Sequence, residues 1–171
     1  DVGVVGRVQV RSEAVMRGYW RDEQATAAAL SPDGWVTVGD VGRLDAEGNL
    51  TLAGREGECY LRGGYNVYPV EVERVLADHD GVAEAAVVGV PDAVLGQIGV
   101  AYVVPAGAVE AGDLRRWVGG RLADYKVPDR VVLLEEMPLT PVGKIDRRAL
   151  AAQAETRPRP GLAVDRPGGK S

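Results

Sequence analysis

The stretch Cys59-Tyr60-Leu61-Arg62-Gly63-Gly64-Tyr65-Asn66-Val67-Tyr68-Pro69-Val70-Glu71-Val72-Glu73 decides how the chain is read. Cys59 to Leu61 has the makings of a short strand. Arg62-Gly63-Gly64 ends it as a turn, because glycine tolerates the left-handed backbone that tight turns need. Pro69 suits a first helical position, where its missing N–H costs no hydrogen bond. Val72, Val75, Leu76 and His79 then recur at helical spacing. Further on, Val82 to Val90 and Ile98 to Val104 read as strands, separated by a loop that holds Pro91 and Gly96. Leu114, Trp117, Val118 and Leu122 make one face of a second helix, and Arg130 to Leu134 is a third strand. After an irregular stretch with Pro138 and Pro141, Asp146 is placed to cap a last helix through Leu150. Short strands alternating with amphipathic helices predict an α+β unit, a mostly antiparallel sheet with helices on one face.

Upstream of Gly54-Arg55 the texture differs. Val8 and Val10 flank Gln9, Trp35 to Val38 is strand-like, and Asp45-Ala46-Glu47-Gly48-Asn49 is a turn between Val41 to Leu44 and Leu50 to Ala53. Asp22 to Leu30 reads as one short helix. The expected organisation is therefore the end of a β-rich unit over residues 1–55, an α+β domain over 56–150, and a disordered tail over 151–171. That tail holds Pro158, Pro160 and Pro167 with Gly161, Gly168 and Gly169, and shows no apolar period. The chain opens on Asp1 rather than methionine, and is read as a piece of something longer.

Composition narrows the function. At 171 residues, 46% hydrophobic and 26% charged, the chain can bury a core. Its formal charge of -5 argues against a nucleic-acid binder. The longest uncharged apolar run, around Ala85 to Val90, is far short of the roughly 18 residues of a membrane span. No basic, apolar leader opens the chain, so a cytoplasmic protein is expected. One cysteine, Cys59, and one histidine, His79, allow neither a disulfide framework nor a Cys/His zinc site, and no metal site is expected in this chain. A Ser/His/Asp triad or Cys/His dyad would have to use His79.

Several common motifs fail on spacing. No two glycines lie two apart, so the dinucleotide fingerprint is absent. Gly143-Lys144 resembles the end of a phosphate loop, but Pro138 stands where its first glycine belongs and Ile145 where its Ser/Thr belongs. Asn49-Leu50-Thr51 is a chance glycosylation pattern. Glu135 with Glu136, and Glu71 with Glu73, read as solvated faces or helix-dipole partners rather than acid/base pairs. Two elements remain. Lys144, between Pro141 and a capped helix, presents one ammonium that suits charge developing on a phosphate or carboxylate. The Arg62-Gly63-Gly64-Tyr65-Asn66 turn offers backbone amides beside a guanidinium. An ordinary surface lysine and a plain left-handed turn are the alternatives these residues leave open.

Taken in order, the segments resemble the C-terminal part of the adenylate-forming superfamily, which includes acyl-CoA synthetases, peptide-synthetase adenylation domains and luciferases. Val15-Met16-Arg17-Gly18-Tyr19-Trp20 is similar to its M-x-G-Y-W segment, and Gly34-Trp35-Val36-Thr37-Val38-Gly39-Asp40 to G-W-x-x-T-G-D. Gly54-Arg55, followed by Arg62 through Glu73, resembles G-R-x-x-(D/E)-x-I-x-x-G-G-x-N-V-Y-P-x-E-V-E. Tyr125-Lys126-Val127-Pro128 and Pro138 through Arg147 complete the series over residues 1–150.

The resemblance implies ATP-dependent activation of a carboxylic acid to an acyl-adenylate, with pyrophosphate released, followed by transfer to a thiol. It implies that Asp40 accepts hydrogen bonds from the ribose diol of ATP or AMP, that Arg55 assists there, and that Lys144 is the catalytic cation of adenylation. It further implies rotation about a hinge at Gly57, which brings Arg62, Gly63, Gly64 and Tyr65 to the pantetheine of CoA. Arg62 is then expected against a CoA phosphate. The acid pocket, the phosphate loop and the residues that accompany Mg2+ with ATP belong to a large N-terminal domain that this chain lacks. Two departures stand out. Gly57-Glu58 replaces the usual hinge Asp or Lys followed by an acid, and Val38 replaces a threonine. CoA is the expected acceptor. A carrier-protein thiol, as in peptide synthetases, and a non-catalytic AMP-binding module are the alternatives.

Overall fold

In the computed structural model, residues 2–156 are described. They form two sheets with helices packed on the larger one, the α+β class expected. The first sheet has the order β1-β2-β3, from β1 (Gly6–Val10), β2 (Val36–Leu44) and β3 (Leu50–Arg55), all antiparallel. Trp35 to Val38 and Val41 to Leu44 belong largely to one strand. β2 runs through Gly39 and absorbs it with an irregularity at Val41/Gly42. The short helix α1 (Glu23–Ala29) begins where expected, because the Asp22 carboxylate accepts the Ala25 amide at 2.8 Å.

The second sheet has the order β5-β4-β7-β6, with β8 alongside β7. Its centre is the long hairpin of β6 (Val82–Asp92) and β7 (Gly96–Pro105). β8 (Arg130–Leu133) lies parallel to β7, reached through α3 (Ala111–Gly119), a crossover that parallel pairing demands. β4 (Tyr60–Arg62) and β5 (Tyr65–Val67) form a second, tight hairpin, from which the chain enters α2 (Pro69–Ala77) with Pro69 in its first turn.

The expectation of helices on one face only is corrected. Val87, Ala101 and Val103 pack with Val72 and Leu76 of α2 and Leu114 and Val118 of α3. The intervening residues Ala86, Val88, Val100 and Tyr102 pack on the other face with Leu150 and Ala154 of α4 (Arg147–Thr156). Strands covered on both faces lose the polar alternation that marks a half-exposed sheet, which is why β6 reads as a plain apolar run. Tyr102 ties the second layer down by donating its hydroxyl to Leu150 O at 2.9 Å.

The last helix is also corrected. Asp146 Oδ1 accepts the Arg148 and Ala149 amides at 3.1 and 3.0 Å, as a cap should. The helix runs on to Thr156, so the first six residues of the expected disordered tail are helical, held by the apolar contacts of Ala151 and Ala154. The rest of that tail lies outside the described residues.

Tyr60 joins the small hairpin to the central one. Its side chain is only 2% exposed and lies flat over Gly89 and Gly99, which are paired across β6 and β7. A Cβ at Gly89 would stand 2.3 Å from Tyr60 Cβ, and one at Gly99 would stand 2.1 Å from its hydroxyl oxygen. Those glycines are there for the close approach of the ring. No helix among the described residues is long and apolar enough to cross a membrane.

Candidate functional site

β3 delivers Arg55 directly opposite Asp40 of β2, and its Nε lies 3.1 Å from Asp40 Oδ1. The next four residues turn the chain toward the second sheet. The Glu58 amide donates to Arg55 O at 3.1 Å, and Gly57 takes φ +86 inside that turn, a conformation costly for any residue with a Cβ. Nothing lies within 4 Å of where a Gly57 Cβ would sit, so the position is constrained by backbone geometry alone. Its preceding residue is anchored twice, by Glu56 N to Gly39 O at 2.8 Å and by the Arg7–Glu56 ion pair at 2.6 Å. The backbone before Gly57 is thus pinned to the first sheet.

Lys144 stands at the end of a three-residue hairpin loop. The Gly143 amide donates to Thr140 O at 2.9 Å, and the Thr140 amide to Lys144 O at 2.7 Å, with Leu139 and Ile145 bridged below them. Pro141 presets the turn, and Gly143 at φ +77 completes it, the usual pattern for a loop of this length. The loop is anchored by Asp146 N to Pro138 O at 2.7 Å, and then by Arg147.

Arg147 is a residue that sequence reasoning missed. Its Nη1 and Nη2 grip Glu73 at 2.6 and 3.1 Å, and Nη1 also donates to Val87 O at 2.9 Å. Glu73 in turn accepts the Val87 amide at 2.8 Å. Hydrogen bonding to Glu73 raises the Arg147 pKa further above its already high ordinary value, against the opposing effect of burial. The cluster ties α2, β6 and the start of α4 into one rigid block behind Lys144. Its signal in the sequence is Glu73, which by spacing alone pairs with Glu71 as a solvated acid. In fact the two acids diverge, for Glu71 meets Lys126 Nζ at 2.7 Å.

These groups converge. A cleft of about 210 Å³ is lined by Asp40, Arg55, Glu58, Glu73, Arg74 and Arg147. The open depression beside it holds Lys144, Arg148 and Asp146, and shares Glu58 and Arg147 with the cleft. Five cationic side chains against four carboxylates line the pair, in a chain whose net charge is -5. The arrangement can take an anion that also bears hydrogen-bond donors.

The glycine turn lies elsewhere, and lines neither cleft. It is a β-hairpin turn rather than the expected strand-to-helix turn. Arg62 pairs with Tyr65 across it, and Gly63 and Gly64 both take positive φ, +57 and +87, the requirement of a two-residue type I′ turn. The Gly63 amide donates to Leu95 O at 2.8 Å, and nothing lies within 4 Å of a Cβ built at Gly64. Arg62, expected against a CoA phosphate, already has a partner within the chain. Nε and Nη2 each donate to a different oxygen of Asp129 at 2.9 Å, and the two side chains are only 22% and 17% exposed. That fork is filled from within the chain. Tyr65 is exposed on its outer side and stacks on Tyr125, with ring centroids 4.6 Å apart.

His79 is structural. Its Nδ1 accepts the Gly81 amide at 3.0 Å and its ring meets Trp117 edge-on at 4.9 Å. Among the described residues no three His, Cys, Asp or Glu side chains converge as a metal site would require.

An acid–arginine couple at the end of the first sheet, a glycine turn after it, a lysine loop and a separate glycine hairpin are the features the fold sets out on the α+β domain and the sheet before it. Residues 71–144 match the AMP-binding enzyme C-terminal domain. The chain is 44% identical over 151 residues to an octahydroindenyl-propanoyl:CoA ligase of Rhodococcus jostii (strain RHA1), covering 87% of this chain and 29% of that protein. It is 44% identical over 156 residues to an indoleacetate–CoA ligase of Aromatoleum aromaticum, covering 88% and 30%. Among solved structures, the amide bond synthetase McbA from Marinactinospora thermotolerans is 42% identical with a TM-score of 0.81, over 90% of this chain and 32% of that one. The o-succinylbenzoate CoA synthetase (MenE) from Bacillus subtilis, in complex with its acyl-adenylate intermediate, is 35% identical with a TM-score of 0.80, over 95% and 32%. The chain belongs to the adenylate-forming (AMP-binding) superfamily as the C-terminal part of such an enzyme, and is most like the acyl-CoA synthetases. It spans about 30% of the length of these relatives.

Proposed function

We propose that this chain is the mobile C-terminal part of an AMP-forming acid–thiol ligase, residues 56–150 being the domain that moves and Gly57 its pivot. The observation that carries the proposal is that the depression holding Lys144 shares Glu58 and Arg147 with the cleft lined by Asp40 and Arg55, while the glycine hairpin lines neither. That is the distribution of groups that two successive steps on one adenylate would need.

In the first step a carboxylate oxygen of the acid attacks the α-phosphorus of ATP, and the bond to pyrophosphate breaks. Asp40 accepts hydrogen bonds from the ribose diol, Arg55 orients that carboxylate, and Lys144 neutralises the charge shared by the carboxylate and the α-phosphate. A fixed charge of this kind is worth about 2.7–4 kcal/mol, or about 100 to 1000-fold in rate. In the second step the domain turns about Gly57, so that Lys144 withdraws and the Gly63-Gly64 hairpin comes to the pantetheine. The thiol of CoA adds to the acyl carbon, AMP leaves, and the thiol proton is lost to solvent or base. The acid pocket, the phosphate loop and the ligands of Mg2+ are assigned to the large N-terminal domain. The relatives act on acids as different as indoleacetate and long-chain fatty acids, so no acid class is assigned to this chain.

A second reading keeps the adenylate and changes the acceptor. The 42% identical amide bond synthetase favours an amine in place of CoA. Both readings are tested by incubating the full-length polypeptide with ATP and a panel of carboxylic acids. Acid-dependent ATP–pyrophosphate exchange supports the first step. AMP release that then requires CoA supports the thiol acceptor, whereas release on adding amines with no dependence on CoA supports the second reading. A protein that exchanges pyrophosphate with none of the acids is the non-catalytic nucleotide-binding module.

A further inference from the structure

The two residues that bracket the glycine pair are each held by one neighbouring segment. Arg62, before it, is gripped through two hydrogen bonds of 2.9 Å by Asp129. Tyr65, after it, stacks on Tyr125 at 4.6 Å. The segment that supplies both partners is itself fixed at three points. Lys126 Nζ lies 2.7 Å from Glu71 of α2, the Asp129 amide donates to Gly99 O at 2.8 Å, and the Arg115 guanidinium of α3 donates to Pro128 O at 2.9 Å. On the other side of the hairpin, Gln97 accepts the Leu61 amide at 2.9 Å and Leu95 accepts that of Gly63 at 2.8 Å. A two-residue hairpin is marginal on its own, and the two glycines at its tip have the widest conformational freedom of any residues. Here that freedom is confined from outside, and Gly64 is left at the tip with nothing within 4 Å of a built Cβ.

We infer that Asp129 and Tyr125 are positioning residues for the acyl-transfer step, acting through Arg62 and Tyr65 to hold the Gly63-Gly64 tip in the shape that receives the acceptor chain. The inference rests on the reading of that tip as the acceptor side. It assigns Arg62 a positioning role, with the Nε–Nη2 edge of its guanidinium taken by Asp129. It also separates the two half-reactions. Neither Asp129 nor Arg62 lines the clefts that hold Lys144, Asp40 and Arg55. Misplacing a contact by about 1 Å costs up to about 100-fold in rate. The loss falls on transfer alone.

The test compares wild-type full-length polypeptide with Asp129→Asn, Asp129→Ala, Arg62→Ala, the double variant Asp129→Ala/Arg62→Ala, and Tyr125→Leu. Two rates are read on each, acid-dependent ATP–pyrophosphate exchange and CoA thioester formation from preformed acyl-adenylate at varied CoA. Asp129→Asn keeps the size of the side chain, and Tyr125→Leu leaves the ion pair intact, so at least one variant retains the fold. The expected result is exchange within about 2-fold of wild type, with transfer reduced by about 10 to 100-fold through a raised KM for CoA. The double variant is expected to be no worse than Arg62→Ala, because the two side chains act as one unit. Transfer unchanged in Asp129→Asn, Asp129→Ala and Tyr125→Leu overturns the inference. So does an equal fall in exchange and transfer, which would mark a purely structural role. A wild-type protein that exchanges pyrophosphate but transfers to no thiol overturns the acceptor reading itself, and the inference with it. Wild-type transfer together with indifferent variants overturns the inference alone.

Discussion

Replacing Gly99 by alanine destabilises the chain by about 1–3 kcal/mol, the usual penalty for forcing a group into a filled core. The new Cβ would stand 2.1 Å from the Tyr60 hydroxyl oxygen, 2.9 Å from Cζ and 3.5 Å from Cε2. Comfortable separations between such atoms are about 3.5 Å or more, so the overlap is most severe at the hydroxyl and smaller at Cζ. The ring cannot slide away along its axis, because its Cβ end rests on Gly89, where a built Cβ would be 2.3 Å distant. A Gly to Ala change also restricts the unfolded chain, which offsets about 0.4–1 kcal/mol of the loss.

The hydroxyl itself has no hydrogen-bond partner among the described residues and is buried. Leaving such a group unpaired costs about 1–3 kcal/mol, so Tyr60→Phe is neutral or stabilising. In combination, Tyr60→Phe recovers at least about 1 kcal/mol of the Gly99→Ala loss, a coupling of the size expected for residues in contact. Gly89→Ala gains no such relief, since its overlap is with Tyr60 Cβ and Cγ, at 2.3 and 2.7 Å. Urea denaturation of the four-member cycle measures the coupling, with Gly89→Ala in both backgrounds as control. Equal losses for Gly99→Ala with and without Tyr60→Phe would refute the reasoning, as would a loss above about 1 kcal/mol for Tyr60→Phe alone.

Other perturbations follow from the same contacts. Glu73→Ala strips the Val87 amide and the Arg147 guanidinium of their shared acceptor and lowers stability by about 2–3 kcal/mol, read as a fall in the urea midpoint at constant slope. Gly57→Ala meets no side chain but must hold φ +86, which costs about 1 kcal/mol and shifts the thermal midpoint by roughly 2–4 °C. Burial raises the Tyr60 pKa above its ordinary value, so the folded state disfavours the phenolate. The linked stability is complete below the unfolded phenol's pKa of about 10 and is lost as pH rises above it. Denaturation at pH 8 and pH 11 therefore shows a smaller alkaline loss in Tyr60→Phe than in wild type.

The chain shows its elements in sequence more readily than their surroundings. Pro69, Asp22 and Asp146 announced three helix starts, because an absent N–H or a capping carboxylate acts within a single turn of backbone. What stayed hidden depended on partners far along the chain. Arg62 finds Asp129 across 67 residues and Glu73 finds Arg147 across 74, and no local spacing reports such pairings. Arg62 accordingly read as a partner for a CoA phosphate, and Glu73 as a solvated one of two acids. The second helix layer was missed for the same reason, since covering both faces of β6 erases its period. The loop around Lys144 and the Gly63-Gly64 turn were legible as turns because proline and glycine act locally, but the strand that follows Gly64 and makes the second a hairpin was not.

The central claim is that one chain serves two half-reactions from two sides. The most direct measurement is a comparison of Lys144→Ala and Gly64→Val in the full-length polypeptide, following pyrophosphate exchange and transfer from preformed acyl-adenylate to CoA on the same samples. The account predicts that Lys144→Ala lowers exchange by about 100 to 1000-fold and leaves transfer near wild type. Gly64→Val, at a position with φ +87, is predicted to do the reverse. Exchange untouched by Lys144→Ala, or both variants losing both activities alike, would contradict it.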